Sequence, residues 1–553
     1  MNHPRPITRR WMKWILAGAI VLAAAPAALG VGLTNVPLHD PLYDDLQKLM
    51  ALAGHTANLA TLPISRLEAA GIVIAIEDRK DFSQLHADPL FAAIHERLAR
   101  RLAKDIAYRR AEGNRDHFDT RFAPLQQAAL ATGASRTQSR FLQQFPFDQE
   151  LTDPVTGLRN RDETFERPPT TDYGAFSGVV YFDAALELED HLALFARPQI
   201  EFAGAFADSS HQDDVQELDM DIAYAKLQWF NVAASVGRDS LWWGPGQYGA
   251  LMLSDNAPPL DLVKLQSHQA FRLPWVFRVL GPMSLTAFLA QLEEDRHVPN
   301  PYVIGGRMTL MPLDRVEIGV TRVIQFGGDG SGKPGLENLD DVLIGRSEHT
   351  YGKQGDTNQL AGFDARVTIP EVRRLWKRFR QLQAWWEYGT ETVDWNTIAG
   401  LRVPIPAMPA HLWGVRLDFG PVDIVGEWVD THARGFWYTH YVYKDGYTYE
   451  GLVLGHPYGY GAQAFDGRLR WHVTPAWRLS FLPAFHRWRF RHVQREQRDF
   501  GGGLEAEWIA SFGMRLRFGT QMWAQDLLGS RPAEYDEPWS GGASAWAHAS
   551  FGF

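Results

Sequence analysis

Cysteine is missing from all 553 residues. That excludes a disulfide framework, a thiol nucleophile and a thiolate metal site. Long apolar runs are missing too. Beyond residue 30 no stretch approaches the roughly 18 residues that a membrane-spanning helix needs, which excludes a helical membrane protein. An excess of positive charge is also absent: 55 Lys and Arg stand against 65 Asp and Glu, a formal charge of -10. Generic nucleic-acid binding is excluded on that balance. Catalytic patterns are scarce, with no HExxH and no GxSxG. Gly459, Gly461 and Ala464 match a dinucleotide pattern, but a β-patterned segment follows instead of a helix. The acidic pairs Glu293–Glu294 and Asp340–Asp341 read as solvated loop charge and not as paired catalytic carboxylates. The expectation is a protein with no catalytic residue, no metal and no cofactor.

What is plentiful points elsewhere. The chain holds 20 Trp, 31 Phe and 49 Gly, a mixture suited to strands, turns and aromatic girdles. Residues 1–30 read as a secretory signal peptide, with Arg9, Arg10 and Lys13 as its basic start. Ile15 to Leu29 form a short apolar run, and Ala28-Leu29-Gly30 offers small residues for cleavage.

Residues 31–115 carry helix punctuation and form an expected small helical unit. Asp40 precedes Pro41 and the stripe Leu42, Leu46, Leu49 and Ala53, closed by Gly54. Ser65 and Glu68 have capping-box spacing. Asp88 precedes Pro89 and a stripe of Phe91, Ile94, Leu98, Leu102 and Ile106, ending at Gly113. Arg97, Arg100, Arg101 and Lys104 read as a solvated basic face. A polar link sets the bundle apart, so the barrel described next is expected to stand without residues 36–113.

Residues 116–553 change to a period of two. Phe176, Val180, Phe182, Ala184 and Leu186 alternate with Ser177, Val179, Tyr181, Asp183 and Glu187. Such segments recur, joined by short turns such as 419–422 and 474–477 and by long stretches at 205–217, 327–359, 390–408, 435–462 and 526–541. Tight turns on one side and long loops on the other mark a transmembrane barrel. Eighteen strands fit, among them 122–136, 232–238, 262–277 and 543–553. The last alternates Ala545, Ala547, Ala549, Phe551 and Phe553 against Trp546, His548 and Ser550. Closing the sheet there removes edges that lipid does not tolerate. The expected fold is mainly β: an antiparallel transmembrane barrel of about 18 strands with a small N-terminal helical bundle, both chain ends on the periplasmic side.

Several separate motifs share one resemblance. They are VPLHDPLYDDLQKL and PISRLEAA near the N-terminus, GRDSLWWGPG (Gly237–Gly246), NAPPLDLVKL (Asn256–Leu265), FRLPWVFRVLGP (Phe271–Pro282), VPNP (Val298–Pro301), QFGG (Gln325–Gly328) and GYTYEGLVLGHPYG (Gly446–Gly459). In this order they resemble the capsule assembly Wzi family across nearly the whole mature chain. The resemblance implies a periplasmic helical bundle, an eighteen-stranded outer-membrane barrel, and a lectin-like role in retaining capsular polysaccharide or exopolysaccharide at the cell surface. Implied partners are that polymer, outer-membrane lipid with lipopolysaccharide, and the polysaccharide export machinery. A passive or sugar-selective pore is the alternative, since eighteen strands are wide enough for a channel.

Ligand residues are read from side-chain chemistry. Trp242 and Trp243 offer flat faces for sugar rings, or else pack a girdle or a loop folded into the barrel mouth. The stretch 435–462 carries Tyr438, Tyr441, Tyr443, Tyr447, Tyr449, Tyr458 and Tyr460 with His440 and His456. Tyr447, Tyr449, His456 and Tyr458 are its candidates for polymer contact, on an outer loop that presents rings; packing within the loop is the other reading. Arg487, Arg489 and Arg491 belong to a basic run, with His486, His492, Arg495 and Arg498, suited to acidic polymer or to lipopolysaccharide phosphates. A second basic run, Arg373, Arg374, Lys377, Arg378 and Arg380, falls in a periplasmic turn and suits docking of the helices or lipid headgroups.

Overall fold

The computed structural model describes residues 33–111, 121–137, 175–188, 191–205, 215–330, 357–370, 372, 378–398, 401–432, 437–440, 442–490, 495–510, 513–528 and 539–552. The expected leader, Gly113, Arg491 and Phe553 lie outside the described residues.

The helical punctuation acts as its chemistry requires. Asp40 accepts the amide of Leu42 at 2.8 Å where α1 (Leu42–Ala53) begins, and Gly54 ends it at a φ of 64°. Ser65 and Glu68 form a reciprocal capping box at the start of α2 (Arg66–Glu77). After a short α3 (Phe82–His86), Asp88 caps α4 (Pro89–Arg101), which opens on Pro89. The expected single helix to Gly113 is broken at Leu102, and α5 (Ala103–Arg110) follows. Leu46, Leu49, Ile76, Phe91, Ile94 and Leu98 are buried together between these helices.

Eighteen antiparallel strands form one closed barrel. They are β1 (Arg121–Thr137), β2 (Ala175–Leu188), β3 (Leu192–Ala205), β4 (Val215–Trp229), β5 (Val232–Asp239), β6 (Leu260–Ser267), β7 (Met283–Gln291), β8 (Tyr302–Leu313), β9 (Val316–Phe326), β10 (Asn358–Ile369), β11 (Gln381–Ile398), β12 (Leu401–Asp418), β13 (Val422–Asp430), β14 (Ala462–Thr474), β15 (Trp477–Phe490), β16 (Arg495–Ile509), β17 (Met514–Leu528) and β18 (Trp539–Gly552). The wall closes where β1 pairs with β18, from Gln127 opposite Gly552 to Thr137 opposite Gly542. Alternation decides the faces. Val180 and Phe182 are exposed while Tyr181 and Asp183 between and beside them are buried; on β18 Trp546, His548 and Ser550 point inward. Phe481, Phe500, Leu504 and Phe518 are among the exposed large apolar groups that ring the wall. A closed sheet whose outside is apolar and whose inside carries charge is stable with its outside in lipid.

Two expected strand limits are corrected. The strand drawn over 262–277 ends at Ser267; the chain leaves the wall and forms a 3-10 turn over Trp275–Leu280, following Pro274. The long loop drawn over 390–408 is instead a continuation of β11 and β12, paired out to Ile398 opposite Leu401.

The helices close the short-turn end of the lumen. Lys48 reaches Asp418 at 2.6 Å, Asp45 binds Arg478 at 2.6 Å and also Arg515, and Asp44 faces Arg470 at 3.2 Å. Arg97 pairs with Asp45 at 3.0 Å and Arg101 with Asp40, while Arg101 also donates to Gln127 of β1 at 3.0 Å. The basic face of α4 is therefore partly a docking surface, contrary to the solvated face expected of it. Arg380, from the basic periplasmic turn, lies 3.4 Å from the Asp88 cap. Burial alone would raise the Asp44 carboxyl, but Arg470, Arg468, Arg478 and Arg517 together hold it well below the usual carboxylate range. Burial acts likewise on Asp45, and Arg515, Arg97 and Arg478 outweigh it.

Candidate functional site

The lumen is filled from the opposite end by two loops that fold inward. The first runs from the end of β5 to the start of β6, residues 240–259. Its backbone rests on two wall carboxylates. Gly246 and Leu251 donate their amides to the two oxygens of Glu387, at 2.9 and 2.8 Å. Gln247 and Tyr248 donate to Glu427 at 2.8 and 3.1 Å, and Trp385 Nε1 donates to the same carboxylate at 2.9 Å. A Cβ on Gly244 would lie 2.3 Å from a Glu387 oxygen, and its φ of 155° disfavours any side chain. The glycines of GRDSLWWGPG thus let the backbone approach an acid that would otherwise be buried without donors.

The second loop spans residues 431–461 and locks onto the first. Tyr438 donates its hydroxyl to the Leu251 carbonyl at 2.6 Å, and Tyr447 to that of Met252 at 2.9 Å. Ser254 donates its amide to Leu454 at 2.8 Å, and Asn256 Nδ2 donates to Val453 at 2.9 Å. Tyr443 reaches the Gly327 carbonyl at 3.1 Å. Tyr438 holds a φ of 67°, a conformation costly for an aromatic residue and retained by these surrounding bonds.

These contacts correct the picture of a ring-presenting outer loop. Tyr447 is 0% exposed, Tyr449 5% and His456 1%; they hold the plug together. Burial pushes the His456 imidazole down to about 3, so it is neutral in its packed site. Trp243 is buried too, and Trp242 is half-buried with its Nε1 donating to Gly244 at 3.1 Å. Both tryptophans pair with the helical end: Trp243 lies opposite Thr61 and Trp242 opposite Leu62, and Gly244 donates to the Ala60 carbonyl at 2.9 Å. The plug from one end of the barrel and the helical unit from the other touch through a two-residue β-bridge.

Only Tyr458 of the predicted tyrosine candidates stays at the mouth. Its hydroxyl donates to Asp466, with both carboxylate oxygens at 2.9 Å, and its ring centroid lies 4.3 Å from that of His486. His486 Nε2 is 3.1 Å from the same Asp466, and Trp488 Nε1 donates to the Tyr458 carbonyl at 3.0 Å. This half-buried set combines a stacking face with a carboxylate and an imidazole. Sequence reading missed Asp466 and assigned His486 only to the basic run; the i, i+2 spacing of His486 and Trp488 on β15 was the available signal.

Arg487 and Arg489 sit on the other side of the wall. Trp488 between them faces the lumen, while Phe481 and Phe500 share their outward parity. Arg487 binds Glu496 through two bonds of 2.8 Å, Arg489 reaches it at 3.3 Å and Arg498 at 2.6 Å. Three guanidinium groups around one carboxylate leave two positive charges at the end of β15 and β16, above the ring pair Phe485–Phe500. The sequence-predicted candidates are thus divided among plug, mouth and outer wall.

A family model described as Capsule assembly protein Wzi matches residues 172–523. A protein described as an uncharacterized 55.8 kDa protein in the cps region of Klebsiella pneumoniae is 32% identical over 148 residues, which span 27% of this chain and 29% of that relative. Among solved structures, the chain superposes on Wzi of Escherichia coli with a TM-score of 0.61 at 20% identity, covering 96% of this chain and 100% of that one. That structure is described as an outer-membrane protein involved in Group 1 capsule assembly and a carbohydrate-binding β-barrel.

Proposed function

Because the chain belongs to the capsule assembly protein Wzi family, we propose that it holds capsular or exported polysaccharide on the bacterial surface by binding, without turning the polymer over. The observation that carries this reading is the double closure of the barrel. A lumen filled by two interlocked loops and met from below by the helices offers polymer a surface and not a passage. The same packing disfavours the pore alternative, because conduction needs a continuous water path.

Polymer contact is assigned to the mouth around Tyr458, His486 and Asp466. The buried Tyr447, Tyr449 and His456, with the half-buried Trp242, act by holding that mouth in shape. Arg487, Arg489 and Arg498 serve a different partner, the phosphates of lipopolysaccharide packed against the outside of the wall, where charge-assisted bonds to phosphate are strongest. The helices face the periplasm, where the export machinery is the corresponding neighbour.

The test uses the purified full chain and isolated surface polymer. The pair Tyr458→Ala and His486→Ala is expected to weaken polymer binding at least tenfold with unchanged folded yield. The pair Arg487→Ala and Arg489→Ala is expected to reduce co-purifying lipopolysaccharide and leave polymer binding intact. The reverse pattern would make recognition electrostatic and displace the mouth assignment, and stepwise conductance through a planar bilayer would reinstate the pore.

A further inference from the structure

The connection between β6 and β7, at the short-turn end of the barrel, carries an apolar surface that the described residues leave uncovered. Its first residues are tied to the neighbouring β4–β5 turn. Asn231 donates its side-chain amide to the Gln269 carbonyl at 3.0 Å and accepts the Gln269 amide at 2.8 Å. Its last residues are held against β8. Met311 donates its amide to the Pro282 carbonyl at 2.9 Å, and Gly281, at a φ of 71°, has no room for a Cβ beside the Met311 carbonyl. Phe271 and Met283 join the two ends through reciprocal backbone bonds. Between these fixed ends the 3-10 turn buries none of its side chains. Trp275 is 90% exposed, and Val276, Phe277 and Val279 are exposed with it. Trp275 holds a φ of 59°, and Phe230 of the β4–β5 turn holds a φ of 50° and is 84% exposed. A left-handed backbone is costly for an aromatic residue, and in both turns it presents a ring outward.

We infer that this connection is a membrane-interface anchor lying in the phospholipid leaflet at the periplasmic side of the outer membrane. Its rings and valines would enter the boundary between headgroups and acyl chains, with Arg272 and Arg278 bound to lipid phosphates. Continuity with the lipid-facing wall is the first argument for that occupant. Val236, Val263 and Leu289 lie side by side and exposed on β5, β6 and β7, and exposed Leu265, Val232 and Leu285 carry the band down to the rim. The connection leaves the wall at that rim. Residue type is the second. Trp and Phe on a short element suit the headgroup layer, where interfacial segments insert roughly 5–10 Å. Charge is the third. Arg272 precedes the apolar run and Arg278 stands inside it. Neither guanidinium has a hydrogen-bond or ion-pair partner among the described residues. Arg97 and Arg101, at the same end of the barrel, are instead taken up by Asp45 and Asp40. Guanidinium groups on long stems beside an apolar face fit the phosphates of a lipid surface. The anchor lies at the end of the barrel opposite the mouth, so it stands whether or not the mouth binds polymer.

The lack of cysteine allows single spin labels to test the assignment on the full chain. The protein is reconstituted in vesicles of phosphatidylethanolamine and phosphatidylglycerol, with a nitroxide at Val276→Cys or Val279→Cys. Leu265→Cys on the wall is the lipid reference, and Glu96→Cys on the exposed side of α4 is the water reference. Relaxation by oxygen and by a water-soluble nickel chelate reads the depth of each label. Both turn labels are expected to favour oxygen over nickel several-fold relative to the Glu96 label, approaching the Leu265 label. The pair Arg272→Gln and Arg278→Gln is expected to lower several-fold the phosphatidylglycerol that stays bound when the protein is extracted. Turn labels as open to nickel as the Glu96 label would overturn the proposal. So would shielding from both reagents with spin–spin broadening, which would place a second copy of the chain on this face. Phosphatidylglycerol retention unchanged in the Gln pair would overturn the phosphate contact and the anchor with it.

Discussion

Individual residues of the plug carry heavy constraint because the loops bury backbone that a barrel lumen would otherwise keep wet. Gly244→Ala would add a Cβ against Glu387 in a backbone conformation that disfavours it. Strain and overpacking together cost about 2–5 kcal/mol. Faster hydrogen exchange across residues 240–259 is expected, and exchange as slow as in the parent would contradict the account of that glycine. His456 supplies a pH dependence. Its folded-state pKa, about 3, lies below the ordinary histidine value of 6.5 because burial disfavours the charged ring. Stability from this group is therefore complete above 6.5 and is lost as pH falls from there towards 3, at up to about 1.4 kcal/mol per pH unit. Exchange in the 437–458 loop, corrected for intrinsic rates, should rise between pH 6.5 and 4 in the parent. His456→Gln should flatten that rise, and an equal slope in both proteins would assign it elsewhere.

At the scale of elements, the contact between helices and barrel is a set of buried ion pairs. Asp45 joins Arg97, Arg478 and Arg515. Removing one member of such a set leaves charge uncompensated, at about 3–5 kcal/mol. Asp45→Ala should make residues 33–111 releasable by protease while the barrel keeps its heat-modifiable mobility; resistance equal to the parent would show the docking to be apolar in origin. Asp44 and Asp45 have folded pKa values held below the ordinary carboxylate range, so their contribution is present above about 4 and declines as pH falls below it. We propose further that the barrel persists without residues 33–111, since its hydrogen bonding closes on itself and its lumen charges would meet water. A truncated chain that fails to insert would make the helices part of the barrel's core. The strands were legible from period two, including β5 and β18. The outer halves of β11 and β12 were not, because Pro404, Pro406 and Pro409 read as loop; β12 pairs there with β11 while its contact with β13 begins only at His411, so the prolines occupy an edge that needs no donor. The direction of the 431–461 loop was equally hidden. Its tyrosines were visible, but Glu387 and Glu427, on which the partner loop rests, look like ordinary inward polar positions of wall strands.

For the whole molecule, the family match and the two loops packed into the lumen support the proposed retention of surface polymer. The most direct measurement is the fraction of capsular polymer that sediments with cells, compared among the parent strain, a strain lacking this chain, and that strain complemented with the parent or with the Tyr458→Ala/His486→Ala variant. The account predicts that polymer shifts to the medium on deletion, returns with the parent chain, and stays in the medium with the variant at equal barrel abundance. Cell-bound polymer unchanged by the deletion would contradict it.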